Sequence, residues 1–255
     1  LKAPAPPRIL APPGAGHSRP RAMLPDVWCG VRVAEDSESA GSSDEASFEE
    51  EPSVPPRRRV LLLRHGEAEH NVSGDDVRDA LLTRKGRQQA SSWRGKIAET
   101  LGHVDLVLVS PLRRAVQTAC LAFGDEEVPM ELCRAARELW WDAPANQPGT
   151  PAELRRLLGG LPRGGDVRNI ETALVPGPGE ASSESESLQR LRELILSRPE
   201  ASIAVVCHCG VISQLTGEDP NNCEVVECKR LSDGLEVVAR HPPPCGFDRQ
   251  GCTLG

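Results

Sequence analysis

Three short apolar runs in this sequence are each followed by polar residues that could do chemistry. The runs are Val60–Leu63, Leu106–Val109 and Ile203–Cys207. The residues that follow them are Arg64 and His65, then Ser110 through Arg113, then His208. A neutral imidazole can attack phosphorus, a second imidazole can stabilise the oxygens around it, and arginine forks bind phosphate oxygens. If the fold brings these residues together, they predict a site for phosphoryl chemistry.

The elements around these residues predict that they do meet. Short, purely aliphatic runs are typical of buried parallel strands, and ligands of open α/β sheets bind at the carboxyl ends of such strands. Helical patterns alternate with the runs, and a final pair of strands, Cys223–Cys228 and Leu235–Ala239, reads as a hairpin. We therefore predict an α/β fold with three layers (α/β/α) and a mainly parallel central sheet.

Polar residues also mark where the predicted helices begin. Thr83 is expected to cap one helix that continues to Leu101, and Ser110 to cap another that has Pro111 at its first position. The amides at the start of the second helix would favour an anion. Two further helices carry capping boxes, Thr150-x-x-Glu153 and Ser183-x-x-Glu186.

Composition excludes several classes of protein. The net charge of −7 argues against non-specific binding to nucleic acid. No apolar run approaches the roughly 20 residues that span a bilayer, so no membrane partner is expected. The nine cysteines include no C-x-x-C pair, which favours free thiols in a reducing compartment.

The two ends of the chain differ from its middle. Residues 1–56 hold ten of the 23 prolines, and residues 35–51 carry eight acids and no base. Such a segment buries too little apolar surface to offset its ordering entropy, so we predict a disordered tail at 1–56. The folded domain is predicted at 57–242, followed by a C-terminal tail at 243–255. No signal-peptide pattern is visible, and a cytoplasmic location is expected, with an organelle or the nucleus as alternatives.

Four segments resemble, in order, the motifs of the histidine phosphatase, or phosphoglycerate mutase-like, superfamily. The first, Leu63–Asn71, is similar to the Arg-His-Gly signature of that family. The others resemble its Leu-Thr-x-x-Gly segment, its second arginine motif and its second histidine motif, and they are Asp79–Ala90, Ser110–Ala119 and Val206–Ile212. Asn222–Val225 resembles the closing strand, so the resemblance covers about 60–240.

The resemblance implies a two-step phosphoryl transfer without a metal or another cofactor. His65 would be the nucleophile, and Arg64, Arg113 and His208 would hold the phosphoryl oxygens. Asn71, the eighth residue counted from Arg64, would also contact phosphate.

A carboxylic acid would protonate the leaving oxygen and then activate water. Glu138 is the predicted donor, because Arg137-Glu138 resembles the Arg-Glu pair that follows the third strand in the family. Glu131 and Asp142 are the alternatives.

The resemblance favours a phosphatase that acts on a small phosphorylated metabolite or a phosphoprotein. A mutase or sugar bisphosphatase of the same fold and an inactive binding module are the alternatives. Trp140 and Trp141 could line a pocket over the phosphate or pack the surrounding segment. Cys207 and Cys209, which flank His208, could be tolerated small residues, or thiols whose pKa is lowered by a cationic pocket.

Overall fold

The computed structural model describes residues 58–73, 77–177 and 179–245. Most of the predicted tails at 1–56 and 243–255 therefore lie outside the described residues. Within them, seven strands form one sheet in the order β4-β3-β2-β5-β1-β6-β7. The strands are β1 Arg59–Arg64, β2 Leu106–Val109, β3 Met130–Leu132, β4 Val167–Arg168, β5 Ser202–Cys207, β6 Val225–Arg230 and β7 Leu235–His241.

Five of these strands are parallel neighbours, and the last two are antiparallel. The described helices are α1 Glu69–Ser73, α2 Arg84–Ser91, α3 Ile97–Leu101, α4 Arg113–Ala122, α5 Pro151–Leu158, α6 Ile170–Leu174, α7 Glu184–Ser197 and α8 Cys209–Thr216. Short 3-10 turns lie at Arg134–Ala136, Pro144–Asn146 and Gly164–Asp166. None of the described helices is both long enough and apolar enough to cross a membrane.

Apolar side chains cover both faces of the sheet, so the three-layer prediction is confirmed. Leu61 and Leu63 of β1 pack in one core together with residues of α2, α3 and α4. Val60 and Leu62, which alternate with them, pack in a second core with residues of α7 and α8. This alternation follows from the pleat, which points successive side chains of a strand to opposite faces.

Two helix predictions need correction. The segment that begins after Thr83 forms two helices, because Gly95 adopts a φ of +66° that no right-handed helix accepts. Ser110 does not cap α4, which begins at Arg113. The amide of Arg113 instead donates to the Asp79 carboxylate (2.9 Å), so a residue from a distant loop caps this helix.

Most other predicted features agree with the structure. Thr83 and Ser183 cap their helices, and the capping box of Thr150 with Glu153 is present. The second predicted capping box is only half formed, because among the described bonds the Glu186 carboxylate accepts from Ser182 and not from the amide of Ser183. The strands β6 and β7 form the predicted antiparallel hairpin, with β6 starting two residues later than predicted. The two-residue strand β4 has no counterpart in the sequence prediction, since its length leaves no alternating pattern to detect.

Candidate active site

The two predicted histidines meet at the carboxyl end of the sheet. Strands β1 and β5 are parallel neighbours with Arg64 opposite Cys207, so the next residue of each strand, His65 and His208, emerges at the same edge. Their ring centroids lie 5.1 Å apart, and both side chains are buried. The sequence prediction that these strand ends converge is therefore confirmed.

Hydrogen bonds fix which nitrogen of His65 carries the proton. Nδ1 lies 2.7 Å from the carbonyl oxygen of Gly66, which can only accept, so Nδ1 is the protonated nitrogen. Nε2 accepts a hydrogen bond from Nε of Arg114 (3.3 Å). Burial lowers the pKa of His65 well below its ordinary value, and the charges of Arg114 and Arg64 act in the same direction. His65 therefore presents a neutral ring with a lone pair on Nε2.

The arginine beside His65 is Arg114, so the prediction of Arg113 is wrong by one residue. Arg114 is fully buried, and its other nitrogens donate to the carbonyl oxygen of Ala145 (2.6 Å) and to Oδ1 of Asn146 (2.7 Å). Arg113 points elsewhere, since its Nε donates to the carbonyl oxygen of Asp79 (2.7 Å) and pairs with the Asp79 carboxylate. Successive helix residues diverge by about 100°, so only one of two adjacent arginines can face the strand ends.

Ser110 belongs to the site although it caps no helix. It follows β2, the neighbour of β5, and its hydroxyl oxygen lies 2.7 Å from Nε2 of His208. Burial lowers the pKa of His208 well below its ordinary value, with Arg114 the next cause. Nδ1 of His208 and Nε of Arg64 are buried and form no hydrogen bond with the described part of the chain. Because both nitrogens lie at the strand ends beside His65, they are available to a ligand bound there.

Of the three candidate carboxyl groups, Glu138 is the one at this cluster. Its carboxylate accepts hydrogen bonds from the amides of Leu139 (2.9 Å) and Gly210 (3.4 Å), and Gly210 lies two residues beyond His208. Burial raises the pKa of Glu138, whereas the bond from Leu139 and the charge of Arg114 oppose the rise. Glu131 instead lies on β3 and pairs with Arg198, and Asp142 is exposed.

The predicted phosphate ligand Asn71 makes local contacts. Its Oδ1 accepts from the amide of Ala68 (2.9 Å), its Nδ2 lies 3.1 Å from Nε2 of His70, and its side chain is exposed. His70 is the residue that the structure brings to His65, with the two ring centroids 5.8 Å apart. His70 lies within the first motif, but the sequence alone predicts no role for it. A phosphate contact of Asn71 stays a prediction.

The backbone that carries His65 is held on several sides. The His65 amide donates to the carbonyl oxygen of Cys207 (3.0 Å), and its own carbonyl oxygen accepts from Asn222 (3.0 Å). The next residue, Gly66, donates from its amide to the hydroxyl of Thr118 (3.0 Å). A Cβ at Gly66 would lie 2.5 Å from the carbonyl oxygen of Gly86, so this pair of glycines allows two backbone segments to touch.

The cysteines beside His208 do not carry lowered pKa values. Burial raises the pKa of Cys207, and burial together with the bond to Asp219 raises the pKa of Cys209 to about 11. Both thiols therefore stay protonated near neutral pH, which favours the interpretation as tolerated small residues over that of oxidisable thiolates.

Comparisons with known proteins agree with this geometry. Residues 60–219 match the family model of the histidine phosphatase superfamily (branch 1). The chain is similar to a phosphoglycerate mutase-like protein of Arabidopsis thaliana, with 28% identity over 228 residues that cover 71% of this chain and 80% of the plant protein. It is also similar to the adenosylcobalamin/alpha-ribazole phosphatase of Escherichia coli, with 34% identity over 88 residues, 32% of this chain and 41% of that one.

A solved structure shows the same fold. It is that of an Escherichia coli protein provisionally assigned as an alpha-ribazole-5'-P phosphatase, with a TM-score of 0.50 and 23% identity. The superposition covers 71% of this chain and 94% of the bacterial chain.

Proposed function

Because this chain belongs to the histidine phosphatase superfamily, we propose that it hydrolyses phosphomonoesters through a phosphohistidine formed on His65. The observation that carries the proposal is that an unprotonated His65 Nε2 and a buried carboxyl group, Glu138, lie at the same edge of the sheet, with Glu138 bonded to Gly210 two residues beyond His208. One group can supply the attacking lone pair, and the other can supply a proton to the leaving oxygen.

In the first step, Nε2 of His65 attacks phosphorus and the bond from phosphorus to the ester oxygen breaks. The leaving oxygen takes the proton of Glu138 and departs as the alcohol. Arg114 and Arg64 bind the phosphoryl oxygens, and Nδ1 of His208 donates to one of them. A bound dianion raises the pKa of His208, so that its ring can carry a proton while Nε2 keeps its bond to Ser110.

In the second step, the Glu138 carboxylate removes a proton from water, and the water oxygen attacks phosphorus. The bond from phosphorus to Nε2 breaks, phosphate leaves, and His65 regains its lone pair. The proton on Glu138 is restored, so the cycle closes without another reactant. The substrate class is a small phosphorylated metabolite or a phosphoprotein.

The test is hydrolysis of para-nitrophenyl phosphate by the purified chain, with and without EDTA. Release of para-nitrophenol that EDTA does not reduce is the expected result. Absence of hydrolysis, together with transfer of phosphate between the hydroxyls of 3-phosphoglycerate, would contradict the proposal and favour a mutase.

A further inference from the structure

The two adjacent tryptophans beside the proton donor have different surroundings. The guanidinium carbon of Arg137 lies 4.5 Å from the ring centroid of Trp141, and the amide of Trp141 donates to Glu184 (2.8 Å). The Trp141 side chain therefore packs against Arg137. The neighbouring residue, Trp140, leaves 64% of its surface in water. Such exposure is unusual for a tryptophan, since burial of so large an apolar side chain is strongly favourable.

The backbone of Trp140 is held in a conformation that exposes the ring. Its φ is +55°, in the left-handed region that bulky residues rarely adopt. Its carbonyl oxygen accepts hydrogen bonds from the amide of Ala143 (3.0 Å) and from Nδ2 of Asn146 (3.3 Å). Strained residues that the surroundings fix in this way cluster at functional sites.

The ring of Trp140 lies directly beside the proposed proton donor. A Cβ at Gly210 would lie 3.1 Å from Cζ3 of Trp140 and 2.6 Å from Oε1 of Glu138. The indole and the carboxyl group therefore flank the same glycine, two residues beyond His208. The exposed indole therefore lies close to the group proposed to protonate the leaving alcohol.

We propose that Trp140 is a specificity-determining residue, on which a ring of the leaving alcohol stacks. The inference rests on the proposed function and names a substrate class for it, namely phosphomonoesters whose alcohol carries a ring with an apolar face. A stacked aromatic pair accounts for a preference of about two- to ten-fold over an alcohol without a ring.

The experiment measures binding, so that it does not depend on turnover. Benzylphosphonate and ethylphosphonate share the charged group and differ by the ring, and both are titrated calorimetrically into the full chain. Trp140→Gly removes the ring and accepts the positive φ, Trp140→Phe keeps a ring, and Val238→Ala changes another exposed apolar residue, on β7.

The wild type should bind benzylphosphonate more tightly than ethylphosphonate. Trp140→Gly should weaken benzylphosphonate about two- to ten-fold and leave ethylphosphonate unchanged, Trp140→Phe should restore part of the preference, and Val238→Ala should change neither affinity. Equal affinities in the wild type, or equal losses for both ligands in Trp140→Gly, would overturn the proposal. A wild type that prefers benzylphosphonate but does not hydrolyse benzyl phosphate would contradict the proposed function and leave the stacking role in place.

Discussion

Asn146 joins Arg114 to the segment that carries Glu138. Its Oδ1 accepts from Nη2 of Arg114 (2.7 Å), and its Nδ2 donates to the carbonyl oxygen of Leu139 (2.6 Å). One buried amide therefore positions a group proposed to bind phosphate and the backbone next to the group proposed to protonate the leaving oxygen. Small displacements of such groups are costly, because the reacting atoms must meet in a narrow geometry.

Replacing this amide should therefore slow catalysis without removing a reacting group. We expect Asn146→Ala to lower kcat/KM for para-nitrophenyl phosphate roughly ten- to hundred-fold and to shift the basic limb of the pH profile. The adjacent Gln147→Ala is the control, since Gln147 is exposed and its side chain donates only to the carbonyl oxygen of Asp142 among the bonds described. A loss of folding stability with an unchanged pH profile would indicate a purely structural role.

The two adjacent arginines should differ sharply in their effect on activity. Arg114→Lys loses the fork beside His65, so we expect kcat/KM to fall by about two orders of magnitude. Arg113→Lys should retain most activity and lower the melting temperature, because Asp79 is buried and loses the guanidinium of Arg113. Steady-state kinetics and thermal unfolding of both variants check this. A larger loss of activity in Arg113→Lys would restore the sequence prediction.

Phosphate should become covalently attached to His65. Rapid quenching with labelled substrate should trap an adduct that is stable to alkali and labile to acid. His65→Ala should abolish the adduct and reduce turnover by several orders of magnitude, because a nucleophile acts together with its partners. His103→Ala, whose side chain is 86% exposed, should behave as the wild type. Adduct formation in His65→Ala would disprove the assignment.

Glu138→Gln should slow different substrates unequally. Alkyl phosphates need a proton on the leaving oxygen, whereas para-nitrophenolate leaves with little help, so hydrolysis of the alkyl esters should fall far more. Because the pKa of Glu138 is raised, the wild type should keep its acid form to higher pH, and the basic limb due to this group should disappear in the variant. Glu131→Gln is the matched control. Equal losses on both classes of substrate would move the role to another residue.

The buried histidines should make stability depend on pH in one direction. Their pKa values in the folded chain lie below the unfolded value of about 6.5, so the unfolded chain binds more protons as pH falls below it. The free energy of unfolding should therefore be at its full value above pH 6.5 and decrease below it, by up to about 1.4 kcal/mol per pH unit for each histidine. The free energy of unfolding, measured with urea at several pH values, should change less steeply with pH in His208→Gln than in His103→Gln. Equal slopes would contradict the shift.

The strand ends could be predicted from sequence because they depend on local patterns. Val60–Leu63 and Ile203–Cys207 are apolar throughout, and a histidine follows each run within two residues, so the convergence of His65 and His208 follows from the parallel alignment of the strands. Glu138 was predicted from its resemblance to a family motif, and the structure places its carboxylate at Gly210, close to His208.

Other parts of the site depend on contacts that a linear pattern does not contain. Choosing between Arg113 and Arg114 requires knowing where α4 begins, because the first residue sets which side of the helix faces the strand ends. The residue that caps this helix is Asp79, 34 residues earlier, so no local pattern marks the start. Asn146 has no motif of its own, because its partners come from two other segments. The opposite surroundings of Trp140 and Trp141 likewise result from a left-handed residue that no local signal marks.

The contact between Gly66 and Gly86 restricts which parts of the site can accept substitutions. The peptide that follows His65 touches the first turns of α2, so even one methyl group at Gly66 would push backbone against backbone. Substitutions in the backbone around Gly66 therefore cannot adapt the site to new substrates. Variation among relatives that differ in substrate should instead concentrate at Trp140, whose indole is exposed near Glu138, whereas Asn146 of the same segment holds Arg114 and should vary little. The backbone around the proposed nucleophile is thus fixed by close packing, and substitutions that change the substrate are expected near the leaving alcohol.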